Sequence, residues 1–261
     1  MEDGHKKLTD LHCHLLPGID DGAFDRAEAL NLLNAEYNSG VRQIALTSHF
    51  NCEDQSLTDF LYARNKAKKA LDEGIAANYV KWPDLVLKLG AEVFFSPNIC
   101  RIDVSKLCLE GTPFLLMELP VNRIPAYFEE TFYHLQACGI IPVIAHVERY
   151  QYVTDNPTIL CEWIDKGLLI QINAGPVLER SKRAKRSFNY LKWNLAHIMA
   201  SDAHSMQKRP PNLREGLEAV SRVAGIETAK RINDNADLLF RGIQPEINEI
   251  HCPIKRLGRW W

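Results

Sequence analysis

Short apolar runs alternate with amphipathic stretches along almost the whole chain. The runs at 8–14, 42–49, 86–95, 114–119, 141–147, 168–174 and 197–204 have the length and side-chain content of buried strands. Helical periodicity fills the gaps. Residues 25–39 place Ala27, Leu30, Leu33 and Tyr37 on one stripe, 125–138 do so with Phe128, Phe132 and Leu135, and 212–224 with Leu213, Leu217, Val220 and Ala224. Asp25 with Glu28, and Ser56 with Asp59, have the N-cap to N3 spacing that opens a helix. Gly40, Gly139 and Gly167 fall where helices end, and a left-handed cap there favours glycine. The pattern predicts seven βα units with parallel strands covered on both faces. We expect one domain over residues 1–261, with an irregular tail from about 242 in which Trp260 and Trp261 pack or mediate contacts.

The strand-like runs share a second property: they stop on histidine or a carboxylate. His12 and His14 end the first run, His49 the second, His146 the fifth and His204 the last, while Glu92, Glu118, Asp202 and the turn residue Asp21 keep similar company. Side chains alternate across a strand, so His12 and His14 share one face with Cys13 on the other, and Asp202 pairs with His204. A single histidine in such a place is usually a satisfied core residue. Five of them interleaved with acids suit a barrel that gathers its chemistry at one rim, whereas an open sheet would concentrate its site at one switch point. Imidazole nitrogen plus carboxylate oxygen suits manganese, zinc or iron, and nine donors are enough for two or three ions. Glu118, flanked by Met117 and Leu119, would be costly to bury ionised unless a cation or an arginine met it. Asp20 and Asp21 lie in a PGIDDG turn, where aspartate is common for turn reasons alone, and Asp10 has the spacing to orient a ligand histidine.

Composition narrows the function without naming it. A net charge of −2 gives no reason to expect nucleic acid or a membrane surface as partner. No apolar run approaches the ~20 residues of a membrane span, and MEDGHKKLTD has no apolar segment of a secretion signal. Seven cysteines without a C-x-x-C pair fit free thiols in a reducing cytoplasm rather than disulfides or a thiolate zinc site. No cysteine has arginine six positions on, so the C-x5-R phosphatase loop is missing, and there is no GxxxxGK[ST] phosphate loop.

DLHCHLLPGIDDG, TSHF, GAEVFF, LMELP, AHVERY and ASDAHSMQKRPP, in that order, resemble the PHP (polymerase and histidinol phosphatase) superfamily. The likeness is greatest to its bacterial tyrosine-protein phosphatases associated with capsule and exopolysaccharide synthesis, and it spans roughly residues 8 to 240. It implies a distorted (β/α)7 barrel with up to three metals, usually manganese. Its ligands fall on His12, His14, Asp21, His49, Glu92, Glu118, His146, Asp202 and His204, which selects Asp21 over Asp20. Its phosphate-holding arginines fall on Arg149 and Arg209, of which Arg209 in QKRPP reads as surface charge without the resemblance. Two departures stand out: His146-Val147-Glu148-Arg149 replaces the usual H-P-E-R, and NCEDQ after His49 lacks the branch's glycine and tyrosine.

The implied reaction is hydrolysis of phosphotyrosine on protein by a metal-activated hydroxide, with the phosphorylated tail of a tyrosine kinase as substrate. The same chemistry on histidinol phosphate or another small phosphomonoester is the alternative, and a barrel that binds metal and partner without turnover is a third. Association of copies into a homo-oligomer is left open. The run ERSKRAKR around position 180 is either a solvated helix face or a dock for an acidic partner.

Overall fold

The computed structural model describes residues 7–77, 82–256 and 259–260. All seven predicted strand regions form. Five are continuous: β1 (Leu8–Cys13), β6 (Phe114–Glu118), β7 (Ile141–Ile144), β8 (Leu169–Asn173) and β9 (Ile198–Ala200). Two break in the middle. The stretch 42–49 becomes β2 (Val41–Leu46) and β3 (His49–Phe50), and 86–95 becomes β4 (Val86–Leu89) and β5 (Glu92–Phe94). At the break the amide of Glu92 is shared between the carbonyls of Thr47 and Ser48, each at 3.1 Å, so the ladder slips there.

The lower halves of these staves pair as β1-β2-β4, and the upper halves as β3-β5-β6-β7-β8-β9, parallel throughout. The ring closes where β1 meets the chain after β9. Cys13 and Ala203 form a parallel bridge, the Asp202 amide donates to the His12 carbonyl at 2.8 Å, and the His14 amide to the Ala203 carbonyl at 2.8 Å. The expected distorted α/β barrel of seven staves is thus observed.

Alternation along the strands divides the apolar residues into two cores. Leu11, Ala45, Leu116, Val143, Leu169 and Ile198 fill the interior, which Ala236, Leu239 and Phe240 close across the strand starts. Ile44, Leu46, Leu115, Met117, Ile170 and Ile172 face outward under the helices. That plug belongs to a helix which the apolar pattern did not single out.

The helices are α1 (Arg26–Asn38), α2 (Leu57–Ala76), α3 (Phe128–Ala137), α4 (Gln151–Asp155), α5 (Thr158–Asp165), α6 (Ala174–Leu178), α7 (Lys182–Lys192), α8 (Leu213–Ala224) and α9 (Ile226–Phe240). Asp25 caps α1 by accepting from the Glu28 amide, and Ser56 caps α2 by accepting from that of Asp59, as the spacing predicts. Phe128, Phe132 and Leu135 of α3 are buried, as are Leu213, Leu217 and Val220 of α8. On α1 the expected stripe is corrected. The buried face is Ala29, Leu32, Leu33 and Glu36, while Leu30 and Tyr37 lie on the flank. A buried glutamate is invisible to a search for apolar periodicity.

The expectation that all seven cysteines are free thiols is also corrected. Cys161 on α5 and Cys252 in the tail form a disulfide, and the other five are free. Their separation of 91 residues hides the pairing from the sequence, and folding of the tail against the body brings them together. There the His251 amide donates to the Trp193 carbonyl at 2.9 Å, and Asn194 Nδ2 to the Glu249 carbonyl at 2.8 Å. In the tail Lys255 and Arg256 pair antiparallel with Trp260 and Arg259, and the Lys255 ammonium lies over the Trp260 ring. Trp261 and residues 1–6 lie outside the described residues. Among the described residues no helix is long and apolar enough to cross a membrane.

Candidate metal centre

Strand β1 delivers two imidazoles to the rim through a register shift between Asp10 and Cys13. Leu11 points into the barrel, His12 and His14 gather at its mouth, and Cys13 packs outward against the buried Glu36 of α1. The shift also turns Asp10 away from the rings, which corrects its expected role. Its carboxylate accepts from the backbone amides of His12 and Ser201, each at 3.2 Å, and so ties β1 to β9. Gln171 of β8 does the orienting instead. Its Oε1 accepts from the His146 amide at 2.9 Å and lies 3.2 Å from His12 Nδ1. An isolated glutamine inside a strand carries no sequence signal of this kind.

The PGIDDG turn lies directly on β1. A Cβ at Gly22 would come within 2.2 Å of the His14 carbonyl oxygen, so only glycine permits the approach. The turn then gives its two aspartates different tasks. Asp20 Oδ2 lies 2.9 Å from His14 Nδ1 and accepts from the His49 backbone amide at 3.0 Å, holding the His14 ring and the His49 backbone from behind. Asp21 Oδ1 lies 3.3 Å from the Nε2 atoms of both His49 and His204.

Glu92 is the hub. Its Oε1 lies 2.8 Å from His146 Nε2, and its Oε2 lies 2.9 Å from His49 Nδ1, 3.2 Å from His12 Nε2 and 3.3 Å from His14 Nε2. Glu118, at the end of β6, reaches His146 Nε2 at 3.6 Å. His146 and Asp202 hold their backbones in the left-handed region, with φ of 35° and 55°. Neither is glycine, so each costs about 1–3 kcal/mol that the surrounding hydrogen bonds must offset. On the opposite side Asp202 Oδ1 lies 3.4 Å from His12 Nε2 and 3.4 Å from His204 Nδ1, while Asn173 Nδ2 donates to its Oδ2 at 2.7 Å. Arg149 donates to the same Oδ2 at 2.5 Å, and Arg209 to Asp21 Oδ2 at 2.8 Å.

Electrostatics follow from this crowding. Burial opposes ionisation of Glu92, yet the imidazoles around it hold its carboxyl well below the usual range. Asp202 is likewise depressed, by His12 and Arg149 against burial. Burial would lower His14, but its contacts with Asp20 and Glu92 raise it to about 10. His204 moves the other way, to about 4, through burial and the neighbouring His14. Glu118 is pushed up by burial and by the charge of Glu92.

The donor set fits divalent ions. Glu92 Oε2 is buried within 3.3 Å of three ring nitrogens and forms a well-aligned hydrogen bond with none of them. His204 Nε2 is buried in the same condition beside Asp21. Lone pairs aimed at a common point rather than at each other are what a cation needs. Among the described residues, three groups at the rim bring their donor atoms within 4.8 Å of one another: His14, Asp21, His49 and His204; His12, His14 and Asp202; and His49, Glu92 and Glu118; a fourth, Asp10, Cys13 and Glu36, lies behind β1. His146 joins through Glu92 and Glu118, so all nine expected donors come together, with Arg149 and Arg209 on their border. What the residue pattern missed is the support beneath them: Asp20, Gln171 and Asn173.

A parallel barrel with histidines and carboxylates ringed at the C-terminal ends of its strands defines a class, the rim-site barrels with candidate metal clusters. The chain belongs to the capsular polysaccharide synthesis CpsB/CapC family, whose pattern matches residues 8–241. It is 32% identical over 257 residues to the tyrosine-protein phosphatase YwqE of Bacillus subtilis, covering 95% of this chain and 97% of that one. It is 29% identical over 240 residues to the tyrosine-protein phosphatase CpsB of Streptococcus pneumoniae, covering 86% and 94%. Among solved structures it superposes with a TM-score of 0.85 and 30% identity on one described with Bacillus subtilis YwqE and Streptococcus pneumoniae CpsB as unique metal-dependent tyrosine phosphatases. That match covers 95% of this chain and 100% of the other.

Proposed function

We propose that this protein is a metal-dependent protein-tyrosine phosphatase acting in capsular polysaccharide synthesis, with residues 1–261 working as one catalytic unit in the cytoplasm. What carries the reading is the convergence of nine imidazole and carboxylate donors beside two arginines, in a chain related over most of its length to tyrosine phosphatases. His12, His14, Asp21, His49, Glu92, Glu118, His146, Asp202 and His204 would hold two or three divalent ions, manganese first. When bound, such ions lower the pKa of coordinated water toward neutrality and draw charge from phosphate oxygens.

The remaining work falls to the chain. Arg149 and Arg209 are anchored by Asp202 and Asp21, and their planar donor forks suit the phosphate oxygens that the ions leave free. Asp20 and Gln171 fix the orientation of His14 and His12 from behind. The tyrosine phenolate leaves with a pKa of ~10, so its departure needs little protonation, and no general acid is assigned. The thiol between His12 and His14 offers no nucleophile. Cys13 is buried behind β1, and burial with the nearby carboxyls Asp10 and Glu36 pushes its thiol well above the ordinary value.

A phosphorylated tyrosine kinase is the proposed protein substrate. Steady-state rates on a phosphotyrosine peptide and on histidinol phosphate, measured side by side with manganese present, test the substrate class. Faster turnover of the peptide is expected; a kcat/KM higher for histidinol phosphate would transfer the chain to small phosphomonoesters.

A further inference from the structure

The metal centre continues sideways into a cavity of about 180 Å³. Asp202, Arg149 and Arg209 form its inner end, and Arg183 and Lys208 its outer wall. The inner arginines are matched, Arg149 by Asp202 and Arg209 by Asp21. The outer two are not: neither the guanidinium of Arg183 nor the ammonium of Lys208 takes part in any ion pair or side-chain hydrogen bond with the described residues, although both are exposed. The only other acid on the wall is Glu179, so four cations face two carboxylates, one of them already engaged. Helix α8 begins at the same wall, next to Asn212, without a side-chain cap on its first turn, which adds the positive end of a helix dipole.

Surface cations normally find a partner or point into bulk water. Here two of them converge on a recess that opens directly beside the expected phosphate position. The geometry points to a second anion subsite: Arg183 and Lys208 bind the carboxylate of an acidic residue flanking the phosphotyrosine of the substrate chain. The inference rests on the phosphatase reading for the scissile group and adds a rule of substrate choice. It also divides the basic run around position 180. Arg183 faces the recess, whereas Arg180, Lys182 and Lys185 do not line it.

The test uses the full-length, manganese-loaded protein and three peptides that carry a non-hydrolysable difluorophosphonate in place of phosphotyrosine. One has glutamates on both sides, one has glutamines there, and one has a second phosphorylated tyrosine. Affinity is read by fluorescence anisotropy, and turnover is read separately on the matching phosphopeptides. The glutamate peptide should bind about five- to tenfold more tightly than the glutamine peptide at low ionic strength, as two partly exposed charge contacts allow. That ratio should shrink toward one in 0.5 M salt. In the Arg183→Ala/Lys208→Ala double variant it should fall to within about twofold of unity at any salt.

Equal binding of the glutamate and glutamine peptides by the unaltered protein would overturn the subsite, as would a ratio that the double variant leaves intact. A preference confined to the doubly phosphorylated peptide would overturn the carboxylate assignment. Acid-dependent binding without turnover would leave the subsite standing and sink the phosphatase reading. Turnover without acid preference would do the reverse.

Discussion

The Nε2 atoms of His12 and His14 lie 3.2 Å apart, and Glu92 Oε2 sits 3.2 Å from the first and 3.3 Å from the second. Two ring nitrogens this close cannot both present a proton to the other. His14, raised to about 10 by Asp20 and Glu92 against burial, carries a proton at neutral pH that a divalent ion must displace. Titration of manganese into chelator-treated protein at pH 7, in buffers of different ionisation enthalpy, should therefore show release of about one proton or more per chain. Heat independent of the buffer would contradict it.

Gln171 touches no expected substrate atom, yet it bonds the His146 amide and lies against the His12 ring, while its Nε2 donates to Asn173 Oδ1 at 2.7 Å. Gln171→Leu keeps the volume and removes all three contacts. Its metal affinity should fall about 10- to 100-fold, the usual effect of losing a group that orients ligands. Competition against a fluorescent chelator measures this, and unchanged affinity would show that the rings are held in place without Gln171.

How much of this was legible in the chain depends on what each residue does. The seven staves and eight of the nine donors announce themselves as apolar runs that end on histidine or acid, whereas Asp21 lies in a turn and is selected over Asp20 only by the family resemblance. The breaks inside 42–49 and 86–95 do not announce themselves, since they arise when Glu92 shares its amide between two carbonyls of a neighbouring stave. Asp10 misled for a related reason. Its spacing from His12 implies a shared face only in a regular strand, and the shift before Cys13 removes that regularity. Gln171 and Asn173 are neutral amides whose importance lies wholly in what the fold brings to them. Arg209 reads as surface charge in QKRPP and is singled out only by the family resemblance; the structure adds that its guanidinium meets Asp21 at 2.8 Å.

Arg209 should separate metal binding from catalysis. It donates to a carboxylate of the donor set without supplying a ligand atom. Arg209→Ala should retain its metal, within error of the unaltered protein by elemental analysis, and lose on the order of 100-fold in kcat/KM on an aryl phosphate. That corresponds to roughly 3 kcal/mol of transition-state stabilisation. Unchanged kinetics would remove Arg209 from the phosphate site.

His197 lies away from the donor cluster and gives stability a pH dependence of its own. Burial, and to a lesser extent Arg231, lower it to about 4, and its Nδ1 accepts from the Ile170 amide at 2.9 Å. An unfolded chain protonates this ring near pH 6.5, so below that pH the unfolded state binds more protons than the folded one. Stability is therefore fully present above about pH 6.5 and is lost as the pH falls toward 4, by up to about 3 kcal/mol. His197→Asn, which can keep the acceptor, should flatten the slope of urea-unfolding free energy between pH 6.5 and 5 relative to the unaltered protein. Parallel slopes would contradict a buried neutral imidazole.

Metal content coupled to phosphate release tests the metal centre most directly. Protein isolated without added metal and analysed by inductively coupled plasma mass spectrometry should carry two to three divalent ions per chain. Exhaustive chelation should abolish release of phosphate from a phosphotyrosine peptide, and manganese should restore it in proportion to occupancy. Full activity in protein shown by the same analysis to hold less than a tenth of an ion per chain would contradict it.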